Sequence, residues 1–78
     1  MTELFGSKAC PFTAEMREWL EFNGREFVEY DVDEDTAALE RVEHLTNGQR
    51  TVPVLAEHGK VVQVGWHGRG CITSARSS

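Results

Sequence analysis

The residues best suited to chemistry in this 78-residue chain stand together at Lys8-Ala9-Cys10-Pro11-Phe12-Thr13. A proline at the first position of a helix has no N–H to leave unpaired, and its ring holds φ near the helical value. A helix beginning at Pro11 therefore makes Cys10 its N-cap. A sulfur at that position faces the unpaired N–H groups of the first turn and the positive end of the helix dipole, and both favour thiolate over thiol. Thr13, three positions on, is placed to aim its hydroxyl at the same sulfur, and Lys8 adds a nearby positive charge. The expected product is a thiol with a lowered pKa, nucleophilic at neutral pH. A cysteine that only filled space in a core would need none of these neighbours.

The other cysteine, Cys71, ends the run Gly65-Trp66-His67-Gly68-Arg69-Gly70-Cys71. Its glycines allow the segment to swing, and Arg69 favours a thiolate. Cys71 thus reads either as a second, resolving sulfur for Cys10 or as a small residue at the base of a tail. Thr51-Val52-Pro53-Val54 places a proline inside an otherwise good strand, which marks either an edge or a special backbone position. A cis Val52-Pro53 bond would present the backbone of Val52 to an extended peptide lying beside the thiolate; a plain edge-strand proline is the other reading. Lys8, Arg50 and Arg69 come from segments expected to converge on Cys10, and such a cluster suits an anionic ligand. The histidines lack paired ligand spacing with the cysteines, so no metal is expected. His44 reads as a surface residue near a helix end, His58 as a turn residue and His67 as a loop residue near the cleft.

These residues need elements to position them. Thr2 to Phe5 is a short apolar run stopped by Gly6-Ser7, a buried strand. From Pro11 to Phe22 the residues Phe12, Met16, Trp19 and Leu20 fall on one helical face, with Trp19 expected in the core. Asn23-Gly24 ends that helix in the left-handed manner of a C-terminal cap. Phe27 to Val32 alternates as a strand with one face better buried. Asp33, Asp35 and Thr36 offer N-caps to a second helix with the stripe Ala38, Leu39, Val42 and Leu45, stopped at Asn47-Gly48. Thr51–Ala56 and Val61–Gly65 form a hairpin through Glu57-His58-Gly59-Lys60. The order β-α-β-α-β-β, with a right-handed crossover and a closing hairpin, gives an α/β fold with a four-stranded mixed sheet. Residues 1–71 form one domain and residues 72–78 a frayed tail.

Composition narrows the function classes. The chain carries 13 acidic against 8 basic residues, a net charge of −5, which argues against a nucleic-acid partner held through phosphates. No apolar run reaches the roughly 18 to 20 residues that span a bilayer, so no membrane partner is expected. Met1-Thr2-Glu3 lacks the basic and apolar regions of a signal peptide, and two cysteines are too few for a secreted disulfide scaffold. The expectation is a cytoplasmic monomer.

Cys10-Pro11-Phe12-Thr13 after a first strand, Thr51-Val52-Pro53 opening a third and a glycine turn at Gly65 after a fourth resemble the glutaredoxin family of the thioredoxin superfamily, over roughly the first 70 residues. The resemblance implies a thioredoxin-like fold and a glutathione-dependent thiol–disulfide oxidoreductase. It makes Cys10 the nucleophile and Pro53 cis. Backbone groups of Val52 then hold the cysteinyl unit of glutathione, and Lys8 with Gln49 and Arg50 its glycyl carboxylate. Together with Phe12, Thr51, Pro53, Gly65, Trp66 and Arg69 these form the expected substrate-binding set, Trp66 as a flat apolar wall; Cys10, Thr13 and Cys71 form the catalytic set.

Three departures from the family stand out. Thr13 replaces the usual second cysteine of the Cys-Pro-x-Cys motif. Gly65-Trp66-His67-Gly68-Arg69-Gly70-Cys71 replaces the Gly-Gly-Cys-Asp-Asp segment whose acids hold the glutamyl end of glutathione. The chain also ends where a C-terminal helix would begin, so that helix is expected to be missing or vestigial. The Gly-Trp-x-Gly-Arg-Gly-Cys ending is similar to that of small bacterial glutaredoxin-like proteins, some with selenocysteine where Cys10 stands.

The chemistry so implied is attack of Cys10 on a glutathione–protein mixed disulfide, resolved by a second glutathione or by Cys71. Glutathione is then the co-substrate, and the partners are disulfide-containing or glutathionylated proteins. Two alternatives remain. One is a carrier of a [2Fe–2S] cluster bound with glutathione between two subunits, disfavoured by Pro11 where such proteins have glycine. The other is a dedicated electron donor that does not use glutathione.

Overall fold

The computed structural model describes residues 1–73. The elements run β1 (Thr2–Gly6), α1 (Pro11–Phe22), β2 (Val28–Asp31), α2 (Thr36–Leu45), β3 (Thr51–Val52), β4 (Val54–Glu57), β5 (Lys60–Val64) and β6 (Cys71–Ile72). β2, β1, β4 and β5 lie side by side in a mixed sheet. β1 and β2 are parallel, joined by α1, while β4 runs antiparallel to both β1 and β5. This is the expected mixed α/β arrangement, in which the parallel pair β1–β2 needs a long crossover and α1 supplies it.

β1 is central, so both its faces are covered and its apolar residues are consecutive. Leu4 points to the α1 side, where it packs with Met16, Leu20 and Leu55. Phe5 points to the α2 side, among Val32, Ala38, Leu39, Val42, Val54 and Ala56. Cys10 and Val52 belong to that second cluster, so the candidate nucleophile sits on the rim of the α2 core. α2 begins where Asp35 accepts the Ala38 N–H, as an N-cap should. It is tied to β1 by Arg41, whose guanidinium holds both oxygens of the nearly buried Glu3 at 2.8 and 2.9 Å. The same guanidinium lies over the ring of Phe5, 4.9 Å from its centre.

Several sequence expectations shift. The expected third strand divides at Pro53, which has no N–H to give a ladder; β3 leaves the main sheet and pairs instead with β6. The hairpin turn between β4 and β5 is made by His58 and Gly59, both at positive φ (53° and 78°), the pattern of the tight turn whose twist matches the strands. β2 starts at Val28 rather than Phe27 and is an edge, which leaves Val28 exposed although its stripe was expected inside. Trp19 is not a core residue: it is 43% exposed and tilts against Trp66, ring centres 5.9 Å apart. Met16 and Leu20 already fill the space under α1, so the larger ring lies at the helix flank. Ile72 and Thr73, assigned by sequence to the tail, are structured. Ile72 is in β6, and the buried Thr73 donates through both its N–H (2.9 Å) and its hydroxyl (3.1 Å) to the carbonyl of Arg50. The rest of the expected tail, 74–78, lies outside the described residues. Among the described residues no helix is long and apolar enough to cross a membrane.

Candidate active site

The turn that delivers Cys10 is built by Ser7. Its hydroxyl oxygen accepts the Ala9 N–H at 3.2 Å, its carbonyl accepts the Cys10 N–H at 3.1 Å, and its hydroxyl donates to Asp33. A serine bonding the backbone two residues ahead stabilises such a turn locally, and Asp33 ties it to the loop after β2. Sequence reasoning passed over Ser7; its signal was a hydroxyl three residues before the candidate N-cap.

α1 then starts at Pro11 with Cys10 as N-cap in extended conformation (φ −96°, ψ 115°), as the sequence indicates. Cys10 is buried, 2% exposed. Its sulfur is joined to that of Cys71 in a disulfide spanning 61 residues, with the two Cα atoms 5.9 Å apart. Cys71, read from the sequence either as a resolving sulfur or as a small residue at the base of a tail, is thus brought to Cys10. Cys10 Sγ also lies 3.9 Å from the carbonyl oxygen of Val52, and the Val52-Pro53 bond is cis.

Thr13 departs from its expected role. It is fully buried, and its oxygen accepts the Ser7 N–H at 3.3 Å, inside the turn that precedes the sulfur. Three residues into the helix the side chain has turned inward against Gly6, where an added Cβ would come within 2.1 Å of the Thr13 methyl. Thr13 therefore positions the turn that carries Cys10, and Gly6 is required for it.

The expected basic cluster is only partly assembled. Lys8 is exposed and 3.7 Å from Glu34, and Arg50 is paired with Glu43 of α2. Arg69 alone of the three makes no ion pair among the described residues. Gln49 is exposed, its carbonyl accepting from the Thr46 hydroxyl at 2.8 Å. Phe12, Trp66 and Arg69 do come together: with Glu15 and His67 they line an open cleft beside α1. Trp66 and Arg69 bond each other's backbones, N–H to carbonyl, at 2.6 and 3.0 Å across His67 and Gly68, both at positive φ. The segment expected to be a loose loop is thus a tight hairpin. Gly65, at φ 82°, donates its N–H to the carbonyl of Pro53 at 2.7 Å, and a Cβ there would lie 2.7 Å from the Arg69 carbonyl.

The backbone of Thr51 and Val52, expected to receive a substrate, is already paired. Thr51 faces Ile72 and Val52 faces Cys71 in an antiparallel ladder. The site therefore consists of a helix N-terminus, a cis-proline segment and a returning strand, with one sulfur from the first and one from the third.

Residues 2–62 match the family model for glutaredoxin; the stretch holding Cys71 follows that match. Among solved structures, the thioredoxin-like protein BC3987, crystallised as a point mutant, is 27% identical with a TM-score of 0.75, covering 85% of this chain and 82% of its own. The unmutated form is also 27% identical, with a TM-score of 0.72 and coverages of 80% and 84%. A glutaredoxin from Archaeoglobus fulgidus shares the fold at 22% identity and a TM-score of 0.73, covering 85% of this chain and 75% of its own. No curated protein sequence matches the chain.

Proposed function

The chain belongs to the glutaredoxin family and is a thiol–disulfide oxidoreductase, and from that premise we propose that Cys10 is its nucleophile, Cys71 its resolving thiol and a glutathione mixed disulfide its substrate. The observation that carries the reading is the disulfide between Cys10 at the start of α1 and Cys71 on β6. In the reduced chain the Cys10 thiolate, favoured by the first-turn N–H groups of α1, attacks one sulfur of the substrate disulfide. A bond forms between Cys10 and that sulfur, and the other sulfur leaves as a thiolate. The Cys71 thiolate next attacks Cys10 Sγ, closes the bridge and expels the second thiolate. Two electrons have then passed from the chain to the substrate. An external thiol donor restores the pair by the same exchange, becoming a disulfide itself.

The cleft of Phe12, Trp66 and Arg69 supports a small anionic peptide as ligand, since the Arg69 guanidinium can pair with a carboxylate beside flat apolar walls. Lys8 and Arg50 contribute less here than Arg69, because each faces a carboxylate of its own chain. The same chemistry suits a reducing compartment such as the cytoplasm.

Intact-mass measurement of wild type and Cys71→Ser, each reduced and then incubated with oxidised glutathione, tests the assignment. The expected result is loss of two hydrogens in wild type and a stable glutathione adduct only in the variant. Stable adducts on both overturn the resolving role of Cys71. No adduct on Cys71→Ser overturns glutathione as the substrate component.

A further inference from the structure

The backbone edge next to the nucleophile is a strand-accepting surface whose occupant in the bridged form is the chain's own segment 71–73. Thr73 N–H donates to Arg50 at 2.9 Å, and in an antiparallel ladder hydrogen-bonded pairs recur every second residue. Val52 opposite Cys71 is therefore the next such pair. Gly70 continues the cover: a Cβ there would lie 2.8 Å from both the Val52 carbonyl and the Thr51 methyl. While the segment is seated, nothing else can pair with Val52.

What keeps it seated is mostly the bond between the sulfurs. β3 and β6 have two residues each and stand outside the four-stranded sheet, and ladders of that size do not hold by themselves in water. Ile72 is 75% exposed, so its side chain adds little burial. Among the described residues the other anchors are Thr73 on the Arg50 carbonyl and the partly buried Cys71 side chain against the α2-side core. Upstream, the Trp66–Arg69 hairpin is closed on itself and fixed to Pro53 through the Gly65 N–H, so Gly70, between that hairpin and β6, is the pivot about which the segment can leave.

We propose that segment 71–73 is a redox latch: it occupies the Arg50–Val52 edge while the Cys10–Cys71 bond is closed, and it leaves that edge on reduction, exposing Val52 to an extended, sulfur-bearing peptide. This rests on the bridge being the oxidised state of the enzyme. Opening converts one disulfide to two thiols, with two electrons and two protons supplied by an external dithiol such as dithiothreitol, which becomes a disulfide. The latch stops the oxidised chain from holding a substrate it has no electrons to reduce. Because the ladder and the bond support one another, weakening either weakens the other to the same degree.

Backbone 15N relaxation of the full chain, oxidised and then reduced with dithiothreitol, reads the latch directly. In the oxidised form the order parameters of Ile72 and Thr73 are expected near the rigid value of about 0.85, and in the reduced form below about 0.6, with Leu4 and Leu55 unchanged. Rigid values at 72 and 73 in both forms overturn the latch, as does loss of order at Leu4 and Leu55 on reduction. Intact mass of the oxidised sample separates the failures: no loss of two hydrogens overturns the bridge and the latch together, whereas a closed bridge with unchanged order overturns the latch alone. In a second measurement, Thr73→Pro removes the N–H that reaches Arg50. The bridge of that variant is expected to shift roughly three- to tenfold toward the dithiol in equilibrium with dithiothreitol, and an unshifted equilibrium overturns the coupling.

Discussion

Gly6 and Thr13 decide whether Cys10 is presented at all. With an alanine methyl 2.1 Å from the Thr13 methyl, Gly6→Ala is expected to destabilise the chain by about 2 kcal/mol through overpacking, read as a lower urea midpoint. Adding Thr13→Ala should recover part of that loss; a neutral Gly6→Ala would mean the two residues do not press on each other. At the cleft, Arg69→Glu is expected to raise KM for a glutathionylated peptide at least fivefold with little change in kcat. Lys8→Glu should have the smaller effect, since Lys8 already shares its charge with Glu34. Equal effects would return the binding role to the whole basic cluster. The sequence pointed to these cations but not to their partners: Glu43 lies seven residues before Arg50 and meets it only because the turn after α2 folds back.

At the scale of elements, β1 and α2 are joined by a charge pair at the sheet centre. The Arg41 hydrogen bonds hold the Glu3 carboxyl below the ordinary carboxylate range, against the opposing effect of its burial. A depressed folded-state value stabilises the fold above the unfolded pKa, and that contribution is lost as pH falls through the lower folded one. Reduced protein should therefore lose stability progressively below about pH 4.5, and Glu3→Gln should flatten part of that loss in denaturant midpoints measured from pH 6 to 2. Exposure of the Arg41 end keeps the contribution at neutral pH to about 1 kcal/mol. If Glu3→Gln and wild type fall in parallel, other carboxylates carry the acid response. α1 was legible to its end residues because Pro11 and Asn23-Gly24 are strong local signals. The β3–β6 ladder was not, because two-residue strands have no periodicity to read.

For the whole molecule, the bridge spans almost the full described length. Tying positions 61 residues apart removes unfolded-chain entropy equivalent to about 4 kcal/mol at 25 °C. The oxidised chain should accordingly be more stable than the dithiol form by that order in guanidinium titrations; equal midpoints would show that the unfolded chain is already as confined without the bond. A small domain with a modest core depends strongly on such a tie. Reduction then leaves a less stable chain at the point in the cycle where it is competent to react.

Local chemistry in the sequence determined the cysteine at the helix start, the two helices, the four-stranded sheet and the family, since capping residues, turn glycines and apolar periodicity act over a few residues. Tertiary structure decided what those residues meet. Thr13 turned from the sulfur to the Ser7 backbone, Trp19 moved from the core to Trp66, and Val52 received Cys71 as its partner. Each outcome depends on which distant segments fill the remaining space, and the sulfur that reaches Cys10 comes from a strand that pairs with β3 and is held there by the bond between the sulfurs.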